Sequence, residues 1–382
     1  VTYLIPQSLA AWAASLVLIA PTSLFAGAAS QLTLEPTEAE LVRADQWHLN
    51  YLKVRDAQRI TRGAGIVVAV PDTGVQPHPD LDKNLLDGID LISGEGDGKN
   101  DQNSHGTGMA GLIAAHGRGD ALGALGMAPD AKILPIRDTS SDGQGEPDAL
   151  AAGVDYAVRN GADVICISSV GGAGIPLQQS IEAAVAADVV LVAAAGNKPG
   201  DAAVGYPASE DAVIAVGGVG RDGNHADISV TGPEIDVVAP AVDIYSTSID
   251  GKYRKGTGTS DAAAIVAGAA ALIRSKYPYL PAQEVAHRLT ATAVDKGPPG
   301  RDDEYGYGVI DLVAALTADV PPLGFESVSA PAGTADARPD DNAGSAVRGF
   351  AALGVIVAVG AGWAFVARRR RRGDDPPPRI SR

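Results

Sequence analysis

Three short segments hold the side chains best suited to covalent chemistry: Asp72-Thr73-Gly74, His105-Gly106-Thr107 and Gly258-Thr259-Ser260. A serine hydroxyl is a weak nucleophile until a base takes its proton. Histidine ionises near neutral pH, so it can accept that proton and return it to a leaving group. A carboxylate on the other imidazole nitrogen fixes the tautomer and stabilises the imidazolium. Asp-Thr-Gly also suits a pair of carboxylates sharing one proton, but that chemistry needs a second copy. The chain has none, and His105 would then have no role. The order Asp72, His105, Ser260 therefore predicts an orienting acid, a base and a nucleophile.

Bringing residues so distant in sequence together requires a rigid frame. Ile66–Val70, Lys132–Ile136, Asp163–Ser168, Val189–Ala193 and Val213–Val216 are short runs, nearly all apolar rather than alternating. Such runs are what parallel strands covered on both faces require. Ala-rich segments with helical spacing fall between them, at Gly106–Ala115, Asp148–Asn160 and Pro176–Ala187, and another follows at Asp261–Lys276. The rhythm predicts an α/β fold of three layers, a mostly parallel central sheet with helices on both faces. In such sheets functional groups gather beyond the carboxyl ends of the strands, where Asp72 and Asn197 fall. Gly106 and Gly258 allow close backbone approach around the reactive side chains.

Composition narrows the function classes. The chain has 382 residues and a formal charge of -16. Eight of its 30 Lys and Arg lie at or after Arg348, so residues 1–347 carry 22 basic against 44 acidic groups. That balance argues against a nucleic-acid partner. The single cysteine, Cys166, excludes an intrachain disulfide and a multi-Cys zinc site, and its apolar neighbours predict a core side chain.

The ends differ from the middle. Residues 1–29 have the form of an export signal: an apolar stretch from Leu9 to Leu24, then Ala26 and Ala28 at signal-peptidase spacing. Residues 30–43 form a short N-terminal extension, expected to wrap the body and leave the cleft open. The catalytic domain is placed at 44–318. Residues 319–347, rich in Pro, Ala, Gly and Asp, read as a linker. Residues 348–367 hold the uncharged stretch Gly349–Ala367, which as a helix covers about 28 Å, close to bilayer thickness. Arg368–Arg372 follow it, so the positive-inside bias assigns 368–382 to a cytoplasmic tail and the body to the outside. The predicted protein is anchored in a lipid bilayer.

The text around the three motifs resembles the subtilisin-like serine proteases, the S8 or subtilase family. It is most similar to the mycosins, membrane-anchored subtilases associated with type VII secretion. The resemblance rests on Gln46-Trp47-His48-Leu49, Gly65–Val75, Asn103–Gly111, Met127–Arg137, Ala195-Gly196-Asn197 and Gly256–Ser260, spanning 44–318. It implies a serine endopeptidase with Asp72, His105 and Ser260 as triad and Asn197 as the side-chain oxyanion donor. It also implies that Ser169, Val170, Gly171 and Gly172 form a strand edge holding an extended peptide. The expected partners are a protein or peptide substrate and a type VII secretion membrane complex. Calcium accompanies many subtilases, but no dense oxygen-ligand motif stands here, and neither a cofactor nor a metal ligand is assigned.

Three positions depart from the pattern. Asp261 and Ala264 stand where subtilases typically carry a bulky apolar residue and proline, and Pro71 precedes the triad aspartate. A carboxylate beside the nucleophile can raise the histidine pKa or oppose oxyanion formation. The departures leave open an alternative, a catalytically weak or inactive structural subunit of a membrane secretion assembly. The acidic residues Asp97, Asp101, Asp120, Asp142 and Glu146 read as solvated surface.

Overall fold

A computed structural model describes residues 37–324, apart from Gln144 and Glu146. The expected export signal, most of the linker, the membrane helix and the tail lie outside the described residues. Among the described residues, no helix is long and apolar enough to cross a membrane.

Seven strands form one parallel sheet: β1 (Val67–Asp72), β2 (Ile89–Asp90), β3 (Lys132–Arg137), β4 (Val164–Ile167), β5 (Val190–Ala194), β6 (Ile214–Val219) and β7 (Val237–Pro240). Their order across the sheet is β2-β3-β1-β4-β5-β6-β7, and a separate antiparallel hairpin joins β8 (Ile244–Thr247) to β9 (Tyr253–Gly256). The helices are α1 (Glu38–Asp45), α2 (Trp47–Tyr51), α3 (Val54–Ile60), α4 (His105–Ala114), α5 (Pro147–Arg159), α6 (Ile175–Ala186), α7 (Thr259–Lys276), α8 (Ala282–Ala291) and α9 (Leu312–Thr317).

Alternation along the strands divides the core between two layers. Ile165, Ile167, Leu191 and Ala193 turn one way, into a cluster with Val154 of α5 and Ile181 of α6. Val164, Cys166, Val190 and Val192 turn the other way, against Met109 of α4 and Ile265 of α7. With both faces covered, no strand position can be polar without cost, which is why the apolar runs are continuous. The expected three-layer α/β arrangement is the one observed. Cys166 is buried in it, and burial pushes its thiol pKa up.

Helix α7 is apolar almost all round and buried from Thr259 to Arg274, running beneath the sheet as a core helix. Met127 presses on Gly268, where an added Cβ would lie 2.5 Å from the methionine Cβ. Pro71 sits within β1, a placement that normally removes a ladder bond. Here β1 pairs with β4 only at Val68 and Ala69, so Pro71 lies past the end of that ladder. At the N-terminus, α1 lies against the 117–125 loop. Arg43 donates from Nε to Gly123 O at 2.8 Å and from Nη2 to Leu122 O at 3.0 Å.

Candidate active site

Asp72 ends β1 and is 4% exposed. Its Oδ1 accepts from Thr73 N at 2.7 Å and its Oδ2 from Ser168 Oγ at 2.5 Å. His105 opens α4, and its Nδ1 stands 2.9 Å from both Asp72 oxygens. Burial alone would raise the Asp72 pKa. The imidazole charge and the donated hydrogen bonds outweigh it and hold this carboxyl below the usual carboxylate range. For His105 burial again opposes the charged form, and Asp72 overcomes it, lifting the imidazole pKa above its ordinary value.

The approach of α4 to β1 has a specific cause in Asp101, which is 2% exposed. Its Oδ1 accepts from Thr73 Oγ1 at 3.0 Å, Asn103 N at 2.8 Å and Ser104 N at 2.9 Å. Its Oδ2 accepts from Thr107 N at 3.0 Å and Thr107 Oγ1 at 2.6 Å. One carboxylate thus staples the end of β1 to the first turn of α4. This corrects its reading as solvated surface: the backbone donors left over at a helix start need an acceptor, and Asp101 is enclosed in serving them. Gly106 completes the fit, since a Cβ there would stand 2.2 Å from Gly74 O.

Ser260 is the second residue of α7 and is 8% exposed. A residue so early in a helix keeps its N–H free of intrahelical bonding. Asn197 follows β5, and its Oδ1 accepts from Thr259 N at 2.9 Å and Thr259 Oγ1 at 3.3 Å. With the oxygen tied to the helix start, Nδ2 makes no hydrogen bond among the described residues. At Gly258 an added Cβ would lie 3.2 Å from Ser260 Oγ and 3.5 Å from Asn197 Nδ2. Gly258 thus places the Ser260 hydroxyl and the Asn197 side chain beside the same stretch of backbone. Among the described residues no hydrogen bond joins Ser260 Oγ to His105; such bonds often close only when substrate is bound.

Beyond Ile167 the chain leaves β4 and becomes exposed, from Val170 through Gly172. Gly171 N donates to Tyr206 O at 2.9 Å in an antiparallel bridge. Ser169 to Gly172 thus follow β4 at the same end of the sheet as Asp72 and Asn197, with Val170 to Gly172 exposed. An extended peptide can add to an exposed strand edge through its main chain.

Two groups at the site escaped the sequence reading. Ser168 is buried at the end of β4, next to β1, and its hydroxyl supports Asp72. Asp138 follows β3, and its N donates to Asp72 O at 3.0 Å. Burial, and then the nearby Asp72 charge, push its pKa up to about 8. A signal existed for each, since both sit at carboxyl ends of strands neighbouring β1.

Among the described residues no group of three or more His, Cys, Asp or Glu side chains converges to hold a metal ion.

Comparisons with known proteins give the family and the fold. Residues 63–308 match the model of the subtilase family. Subtilisin DY of Bacillus licheniformis is 41% identical over 259 residues, covering 66% of this chain and 92% of that protein. The crystal structure of MycP1 from Mycobacterium smegmatis superposes with a TM-score of 0.64 at 31% identity, covering 74% of this chain and 88% of that one. A structure described as the serine protease MycP1, an essential component of the type VII (ESX-1) secretion system, gives a TM-score of 0.65 at 33% identity. It covers 71% of this chain and 88% of its own.

Proposed function

We propose, for a chain that belongs to the subtilase family and is thereby a serine-type endopeptidase, that Asp72, His105 and Ser260 are the triad and Asn197 the side-chain oxyanion donor. The observation that carries this reading is His105 Nδ1 at 2.9 Å from both Asp72 oxygens, on the helix packed beside the one that presents Ser260.

The chemistry follows from that placement. His105 Nε2 takes the Ser260 proton as Oγ attacks the scissile carbonyl carbon, and Asp72 stabilises the resulting imidazolium. The carbonyl oxygen gains negative charge and is met by Asn197 Nδ2 and Ser260 N–H. His105 then gives its proton to the departing amine as the carbon–nitrogen bond breaks, leaving an acyl-serine. Water, deprotonated by the same histidine, attacks the acyl carbon; the carbon–Oγ bond then breaks as His105 returns the proton to Ser260 Oγ, releasing the new carboxylic acid. The substrate backbone lies along the Ser169–Gly172 edge, so main-chain bonding positions the bond to be cut.

The physiological setting is a mycosin-like one: a body outside the cell, tethered by residues 348–367, and cutting exported proteins beside a type VII secretion complex. The uncharged stretch Gly349–Ala367 with Arg368–Arg372 after it supports the tether, and the likeness to MycP1 supports the partner.

A fluorophosphonate probe tests the catalytic assignment. The natural chain should be labelled at Ser260, and S260A, folded to the same circular-dichroism spectrum, should lose the label. Equal labelling of S260A would refute the assignment.

A further inference from the structure

The carboxylate directly after the proposed nucleophile has a counter-ion that sequence order conceals. Asp261 is fully buried, and among the described residues neither of its oxygens accepts a hydrogen bond. Arg254, on β9, brings Nη1 to 3.6 Å from Asp261 Oδ1; this Nη1 is also buried and without a hydrogen bond. At that distance the contact is ionic and not a hydrogen bond.

The guanidinium is fitted between two glycines. A Cβ at Gly108, on α4 one turn past His105, would lie 2.5 Å from Arg254 Nη1 and 2.7 Å from its Cδ. A Cβ at Gly256 would lie 2.6 Å from both Asp261 oxygens and 2.7 Å from Arg254 Nη2. The hairpin that carries Arg254 is itself fixed to α4. Ser246 Oγ donates to Gly108 O at 2.6 Å and Thr247 Oγ1 to Thr107 O at 2.7 Å. Arg254 therefore stands between the helix bearing His105 and the helix bearing Ser260, touching both.

We propose that Arg254 and Asp261 form a positioning pair that ties the first turns of α4 and α7 together and balances the carboxylate beside Ser260. The pair deepens the triad reading and rests on it. An isolated anion at Asp261 would oppose the charge developing on the substrate oxygen one residue away. An isolated cation at Arg254 would disfavour the imidazolium. Held together, the two charges largely cancel at the reacting atoms while joining the two helices.

His105 faces Asp72 from β1, Arg254 from β9 and Asp261 from α7; the first and third favour its charged form and the second opposes it. Asp261 in turn faces Arg254, His105 and Asp72, and burial is the largest influence on its carboxyl, pushing its pKa up. Removing one partner thus moves the histidine in a direction set by the charge that remains.

The experiment is the rate of fluorophosphonate reaction as a function of pH, in the full chain and in R254M, D261N and R254M/D261N. Each single variant should react at least about ten-fold more slowly at pH 7.5. The acid limb should move to lower pH in D261N, where Arg254 is left alone, and to higher pH in R254M. The double variant should return the limb to its parental position and stay at least about ten-fold slow, because the tie between helices is gone. Folded single variants with parental rates and limbs would overturn the proposal. Should a single variant not fold, the double variant decides. A folded double variant that is about ten-fold slow supports the pair, and one at the parental rate overturns it. Labelling that persists in S260A would overturn the triad reading and this proposal with it, whereas parental behaviour in the Arg254 and Asp261 variants overturns this proposal alone.

Discussion

The two flanks of His105 are built on opposite principles. On the Asp72 side every polar atom is answered: Thr73 N, Ser168 Oγ and His105 Nδ1 meet the carboxylate, and Asp101 gathers five donors just behind it. On the Ser260 side, among the described residues, Asn197 Nδ2 makes no hydrogen bond, and Asp261 faces Arg254 across 3.6 Å with none. A fully satisfied buried network is rigid, and rigidity is what an imidazole needs to keep one tautomer and one direction. In the proposed mechanism the opposite flank accepts a carbonyl that arrives later and becomes charged, so its donors are best left open. Saturation marks the flank that orients, and vacancy marks the flank that reacts.

Three changes would sharpen or break this contrast. The largest effect is expected from D72N, which leaves the geometry but offers the wrong hydrogen-bond pattern to His105 Nδ1. Turnover of a peptide ester should fall on the order of 10⁴-fold with KM little changed. A loss below ten-fold would mean that the saturated flank does not orient the base.

Next comes the vacant flank. N197A removes the side-chain amide proposed as oxyanion donor and should lower kcat by about 10²–10³ while leaving Asp72 and His105 as they are. Steady-state kinetics separate the cases: a rise in KM alone would assign Asn197 to substrate binding and not to the oxyanion.

The smallest effect concerns the carboxyl behind Asp72. In the unfolded chain Asp138 loses its proton near the ordinary carboxyl value of 3.8, whereas in the fold it keeps the proton up to about pH 8. The folded state therefore binds more protons between those values, and stability falls as pH rises through them. D138N mimics the neutral form. It should stabilise the protein by a few kcal/mol at pH 8, measured as a higher Tm, and change little at pH 4. Equal stabilisation at both pH values would show that Asp138 is not a neutral support for the orienting flank.

Much of this arrangement was legible in the sequence because the sheet is buried on both faces. Continuous runs such as Val164-Ile165-Cys166-Ile167 can hardly be anything but central strands, and β1 to β6 follow from them, β2 excepted. Asp72 and Asn197 sit at or just past the ends of such runs, and His105 and Ser260 at the starts of helices, so the motifs and the frame point to the same places. The hairpin of β8 and β9 was not legible. Tyr253-Arg254-Lys255-Gly256 has the polarity of a loop, and its strand character comes from pairing with Ile244–Thr247.

Asp101 was misread for a related reason. Its neighbours Asn100, Gln102, Asn103 and Ser104 are all polar, and only the folding of α4 onto β1 closes over it. Arg254 is the extreme case, since nothing in its local sequence hints at Asp261. Local pattern reveals elements and the residues at their ends. The groups that support those residues come from elsewhere in the chain, and only tertiary contact identifies them.

The central claim is that Ser260 Oγ, His105 and Asn197 converge on one reacting carbonyl, and a crystal structure of the phosphonylated protein tests it most directly. The account predicts phosphorus bonded to Ser260 Oγ, with a phosphoryl oxygen about 2.7–3.1 Å from both Asn197 Nδ2 and Ser260 N. An adduct on any other residue, or an Asn197 amide turned away from that oxygen, would contradict it.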